Sequence, residues 1–296
     1  MAQSTGQSSE TEDTGAGFAL ALVTYLLWGL LPLYMKLLDH IPPLEIVAHR
    51  VIWSVPIAGA VLVLLRRTGD VWAMLTSPKS LALAALTAGL VSVNWLIYVW
   101  AITSGNALEA ALGYYINPLF SVFLGFVLLK ERLNPLQWVA VALAAGAVVT
   151  LAIDAGRLPI AAIGLTVTWG FYAFFKRKLA VGPNQGFFLE VLILSVPCLA
   201  YWAYIGGAGQ SNFAGNLWLM LGAGVVTAVP LMMYANAAKR LRLTTIALMQ
   251  YIAPTMILLL AVFVFDEPFG QARAIAFPMI WAALALYSVS MLRARK

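Results

Sequence analysis

The sequence predicts an all-α membrane protein of ten transmembrane helices, built as two inverted five-helix repeats. Three observations carry that expectation: an extreme apolar composition, a one-sided distribution of basic residues, and a repeat found by aligning the chain with itself. Of the 296 residues, 62% are hydrophobic and 10% are charged. Soluble domains carry about 45–50% apolar and roughly 25% charged residues, so the excess apolar surface needs a bilayer as its solvent. Crossing the hydrocarbon core takes about 20 mostly apolar residues. The chain offers such stretches near 17–38, 44–65, 81–102, 107–129 and 135–153, then near 158–175, 186–205, 216–237, 243–265 and 273–292.

The breaks between these stretches are short, so neighbouring helices run mostly antiparallel. Placing the Lys and Arg residues on the two faces this topology creates gives a strong bias. One face collects Arg66, Arg67, Lys79, Lys130, Arg132, Lys176, Arg177, Lys178, Lys239, Arg240, Arg242, Arg293, Arg295 and Lys296; the other has Lys36, Arg50, Arg157 and Arg273. Basic residues in short loops mark the cytoplasmic side, so both termini are expected in the cytoplasm and the protein in the inner (plasma) membrane. The formal charge of +6 is a topology signal, and no nucleic-acid partner is needed to explain it. Residues 1–16 are polar and lack the basic segment and cleavage site of a secretory signal. They are expected to form a disordered cytoplasmic tail, with 293–296 as a short cytoplasmic tail at the other end. The one cysteine, Cys198, lies in an apolar stretch and reads as an inert packing thiol.

The repeat appears when the chain is shifted against itself. A shift of 141 residues matches Trp28-Gly29 to Trp169-Gly170, Lys36 to Arg177, Ser54 to Ser195 and Pro56 to Pro197. From the third stretch onward the shift becomes 136, matching Tyr98 to Tyr234, Ala101 to Ala237, Tyr115-Ile116 to Tyr251-Ile252, Pro118 to Pro254 and Glu131 to Glu267. The repeats are expected over 17–154 and 155–292. Each holds an odd number of spans, so the second copy enters the membrane from the opposite side. Inverted repeats are a recurrent construction of secondary transporters, where two packings of one pattern exchange to open a central site to either side.

These residues carry a family resemblance. The Trp-Gly of spans one and six, the Tyr-x-x-Pro of spans four and nine, and the acidic ends Lys130-Glu131-Arg132 and Asp266-Glu267-Pro268 resemble the drug/metabolite transporter superfamily. Within it, the chain is similar to the EamA-type ten-helix members, and Glu45 to Trp53 to the RarD and YddG-related branch. One departure is that Pro32 is matched by Ala173. The resemblance implies a basket-like bundle around a central cavity, with helices five and ten peripheral, exporting amino acids or related small metabolites. Drug efflux of the chloramphenicol type is the alternative on substrate.

The candidate site follows from the polar, aromatic and ionisable residues inside the spans. Helix breaks at corresponding places in two repeats are pointers to a transporter's site, so Pro56/Pro197 and Pro118/Pro254, with Gly29 and Gly170, are candidate hinge or gating residues. Candidate substrate contacts are Arg50, His49, Asn94, Trp95, Tyr98, Tyr114, Tyr115, Asn117, Trp169, Tyr172, Tyr234, Gln250 and Tyr251. A buried amide in lipid is costly unless paired, so Asn94, Asn117 and Gln250 are expected to face the bundle, either at a cavity or against another helix. Ionisable groups within spans point to function. Arg50 is the candidate receiver of a substrate carboxylate, against the alternative that it snorkels to the outer interface. His49 and Glu190, matched to each other, are candidates for a coupled proton or for structural hydrogen bonds. Glu131 and Glu267 read as structural or gating caps, and Trp72, Trp138, Trp202 and Trp218 as interfacial anchors.

No HExxH, no paired carboxylates, no nucleophile-with-histidine arrangement and no phosphate-binding loop is present. The chain is therefore expected to be neither an intramembrane enzyme nor a primary pump, and to need no metal or cofactor. A receptor or scaffold leaves the inverted repeat and paired prolines unexplained. The expected partners are a small solute and membrane lipid.

Overall fold

Prolines and short polar side chains set where the helices begin. Pro43, Pro78, Pro135 and Pro183 each open a helix, the position where the missing N–H costs nothing. Thr14, Ser77 and Asn134 cap the N-termini of three helices through their side chains, Asn134 in a reciprocal box with Gln137. The computed structural model describes residues 14–69, 71, 75–130, 132–179, 182–238 and 240–293. The helices are α1 (Gly15–Lys36), α2 (Pro43–Leu64), α3 (Pro78–Thr103), α4 (Ala107–Leu129), α5 (Pro135–Ala155), α6 (Ile160–Lys176), α7 (Pro183–Gly207), α8 (Leu217–Ala237), α9 (Leu243–Met249), α10 (Ile252–Phe263) and α11 (Gln271–Arg293). Among the described residues there is no strand.

Eight of these helices are long and apolar enough to cross a membrane, and α6 and α10 are shorter apolar helices. At 17 residues, α6 stands at the lower limit for spanning. The continuous span expected over 243–265 is instead interrupted between α9 and α10. Pro254 contributes to this: its ring excludes the carbonyl four residues earlier, and it offers that carbonyl no N–H. That carbonyl belongs to Gln250, and the interruption falls at Gln250 and Tyr251. Across it Tyr251 N–H reaches back to Leu248 O at 3.3 Å, a tightened turn. The matched Pro118 lies inside an uninterrupted α4.

Packing joins the two halves of the chain throughout. Helix α1 packs on α8 and α10, α2 on α7 and α8, α3 on α6 and α7, and α4 on α6 and α10. Helices α5 and α11 pack chiefly on each other and touch the remainder through α4. Two of the crossings are made close by glycine. A Cβ on Gly29 would sit 2.6 Å from Met256 Sδ, and one on Gly170 would sit 2.5 Å from a Phe120 ring carbon. Both candidate hinge glycines thus stand at tight helix crossings.

The loops at one end are tied by polar contacts. Glu45 accepts from Asn212 N–H at 2.7 Å, Arg157 pairs with Glu109 at 3.0 Å, and His40 meets Asn216 at 3.2 Å. At the same end Glu267 accepts from the N–H groups of Ala107 (2.5 Å) and Leu108 (3.0 Å). It caps the start of α4 with a full charge where the helix dipole favours one. Glu267→Ala leaves both buried donors unpaired and should destabilise the protein by about 2 kcal/mol, read as a lowered unfolding midpoint in detergent. At the other end Thr14 N–H donates to Arg240 O at 3.2 Å. Glu131, Trp72, Lys239, Arg295, Lys296 and the tail before Thr14 lie outside the described residues.

Candidate functional site

The bundle holds a central cavity of about 140 Å³, walled by α1, α2, α3, α4, α6, α8 and the α9–α10 break. That volume is roughly ten times what a single water needs. Arg50 enters it from α2. The side chain is 3% exposed and its Nε donates to Thr227 Oγ1 on α8 at 2.9 Å. Its guanidinium lies 5.2 Å from the Trp95 ring centroid, and its Nη1 is buried with no hydrogen-bond partner. Arg50 therefore does not reach for the interface. It is held by a hydroxyl and a ring face, with part of its donor fork unspent.

Thr227 in turn donates to Ala223 O at 2.7 Å, so its lone pairs are directed to Arg50. The α2–α8 contact that makes this reach possible depends on Gly224, where a Cβ would lie 2.4 Å from the backbone carbon of Trp53.

Tyr98 and Tyr114 continue the wall from Trp95, with ring centroids 5.9 Å apart. The Tyr98 hydroxyl and Asn117 Oδ1 are buried without partners. Asn94 also lines the cavity, but its amide donates to Leu165 O (3.1 Å) and Thr168 Oγ1 (2.9 Å) on α6, so it joins helices as well. Trp169, Tyr234 and Gln250 line the remaining wall, and Pro254 stands beside the break.

Four of the expected contacts lie elsewhere. His49 turns away from Arg50 into an aromatic cluster, stacked on Phe213 at 4.9 Å and accepting from Trp53 Nε1 at 3.1 Å. Adjacent residues on a helix point about 100° apart, which separates it from the cavity. Trp202 packs edge-on against His49 at 5.0 Å, so it also belongs to this cluster. Trp218, 81% exposed, and Trp138 do face outward. Tyr115 bonds Thr255 at 2.7 Å and stacks on Tyr251 at 6.4 Å, both on the side of the break facing α11. Tyr172 donates to Glu190 Oε2 at 3.3 Å, and the same oxygen pairs with Lys176 Nζ at 2.6 Å. Glu190 is thus engaged in a buried ion pair.

Three polar or aromatic cavity residues were not expected from the sequence, Tyr25, Trp28 and Thr227, alongside several aliphatic ones. Tyr25, Trp28 and Tyr234 pack together with centroids 5.4–6.1 Å apart. Trp28 carried a signal as half of the repeated Trp-Gly pair, and Tyr25 lies three residues earlier on the same helix face. Thr227 carried none.

A bundle of apolar helices around a central, polar-studded cavity, with a helix break beside a proline in the cavity wall, defines a membrane transporter. The chain belongs to the EamA-like transporter family, whose profile matches residues 15–153 and again residues 158–289. It is similar to protein RarD of Salmonella typhi, 41% identical over 283 residues that cover 94% of this chain and 96% of the relative. It is also similar to the chloramphenicol-sensitive protein RarD of Pseudomonas aeruginosa, 32% identical over 279 residues covering 92% and 93%. A solved crystal structure aligns with a TM-score of 0.59 at 24% identity, covering 95% of this chain and 99% of the other; this likeness concerns the fold alone.

Proposed function

We propose that the protein is a secondary transporter of the inner membrane that exports amino acids or related small amphipathic metabolites by alternating access. The observation that carries the solute class is Arg50. Among the described residues it is the only formally charged side chain lining the cavity, it lies inside the bundle, and it retains an unpaired donor. A guanidinium held this way matches a planar carboxylate. The surrounding Trp and Tyr rings offer apolar faces to the rest of a small amphipathic solute.

The alternating mechanism rests on two inverted repeats. Matched packings support it: α1 on α8 repeats as α6 on α3, α2 on α8 as α7 on α3, and α4 on α6 as α10 on α1. So do matched residues, because Gly29 against Met256 and Gly170 against Phe120 are the same contact under the shifts of 141 and 136. The differing outcome at Pro118 and Pro254 is the local asymmetry that such a pair of halves would exchange. The end where Arg157 pairs with Glu109 is the outer one, and the end where Thr14 meets Arg240 is cytoplasmic, as the placement of basic residues implies.

Counterflow in proteoliposomes tests the proposal, with unlabelled solute inside and a labelled panel outside. Several amino acids should accumulate and compete with one another, while lipophilic cations, repelled by an unbalanced Arg50, should not. Accumulation of neutral chloramphenicol in place of every carboxylate-bearing solute would sink the amino-acid reading. The label of the Pseudomonas relative makes that drug the proper rival.

A further inference from the structure

An amino acid brings an ammonium group into the cavity along with its carboxylate, and among the described residues no Asp or Glu lines that cavity. The positive end therefore needs a neutral acceptor. Asn117 is 7% exposed and lines the cavity, and its Oδ1 has no partner. Its backbone carbonyl is occupied by Ser121 Oγ at 3.0 Å, so the amide oxygen is the unspent group. Asn94, the other asparagine in the wall, is anchored to α6 through its amide nitrogen, and its oxygen is not among the buried, unpartnered atoms as Asn117 Oδ1 is. A buried acceptor without a partner costs free energy and calls for an explanation in a native fold.

Its place on the wall is suited to the role. Asn117 lies three residues beyond Tyr114 on the same face of α4. Tyr114 meets Tyr98, which lies three residues beyond Trp95, and Trp95 covers Arg50. One wall thus runs from guanidinium to amide oxygen by way of aromatic faces, which themselves favour a cation. We infer that Asn117 is the ammonium subsite of this cavity, specific for the protonated amine of a solute whose carboxylate is held at Arg50. The inference rests on the amino-acid reading above and adds to it a determinant of specificity.

The test compares phenylalanine with 3-phenylpropanoate, the same acid without its amine, in counterflow. The readout is the ratio of their half-saturation concentrations in wild type, Asn117→Leu and Asn117→Asp. Wild type should favour phenylalanine by about tenfold to a hundredfold, the worth of one hydrogen bond to a charged group. Asn117→Leu should bring that ratio toward one, and Asn117→Asp, which keeps an acceptor, should preserve or raise it. A preference unchanged in Asn117→Leu overturns the subsite, as does a wild type that exchanges both acids equally well. If Asn117→Leu exchanges neither acid, the aspartate variant decides: a preserved preference supports the subsite and a lost one overturns it. Wild type that exchanges neither acid overturns the amino-acid reading, and the subsite falls with it.

Discussion

Arg50→Leu abolishes exchange while leaving the protein inserted and folded: that is the expected result with the largest effect on function. Two terms of opposite sign produce it. A charge at membrane depth carries a cost of about 2.5–3.5 kcal/mol on insertion scales, and among the described residues Arg50 has no carboxylate neighbour in the cavity to offset it. Removing the charge relieves that cost, so the variant should unfold in detergent at the wild-type temperature or above. Transport has the opposite dependence. Losing one partner of a buried charged contact costs about 2–5 kcal/mol, which corresponds to roughly a 30-fold to several-thousand-fold fall in exchange. Arg50→Lys should rescue little, since an ammonium cannot hold Thr227 and present a planar fork together. A variant with normal exchange would remove Arg50 from the site.

Gly224→Val should have the largest effect on the fold. The added Cβ meets the backbone carbon and oxygen of Trp53 at 2.4 and 2.7 Å. Backbone atoms cannot step aside as a side chain does, so α2 and α8 must separate. Overpacking typically costs 1–3 kcal/mol, occasionally more, and this site belongs at the upper end. The same separation lengthens the Arg50–Thr227 contact, so exchange should fall along with stability. Gly89 supplies the control: nothing lies within 4 Å of a Cβ there, and Gly89→Ala should leave the unfolding midpoint unchanged. Equal midpoints for wild type and Gly224→Val would mean that the α2–α8 crossing is not the close contact described.

What the sequence made legible was whatever depends on one residue and its helix. Intramembrane charge is rare enough that Arg50 stood out without any knowledge of its neighbours, and hydropathy placed the long helices because the bilayer length is fixed. What it hid depends on pairing across the chain. Thr227 reads as an ordinary threonine bonding its own helix, and it does so at Ala223 O; its contact with Arg50 joins residues 177 apart in sequence. His49 and Arg50 are neighbours in sequence, yet the turn between them sends one to Phe213 and the other to the cavity. Tyr114 and Tyr115 part in the same way. Pro118 and Pro254 show the limit most clearly, since one motif gives a continuous helix and an interrupted one. Proline removes the same hydrogen bond in both, so the difference lies in something the motif itself does not carry.

The most direct measurement is cavity access from both sides. With Cys198 replaced by Ser, a single cysteine is introduced at Ala253, which lines the cavity beside the break. Oriented vesicles are then treated with a membrane-impermeant thiol reagent from the outside or from the lumen. Labelling is predicted from either side, slowed in both cases by an exchanged amino acid and unaffected by that amino acid when Arg50 is Leu. Labelling from one side only, or labelling indifferent to every solute the protein exchanges, would contradict a central site reached alternately from the two faces.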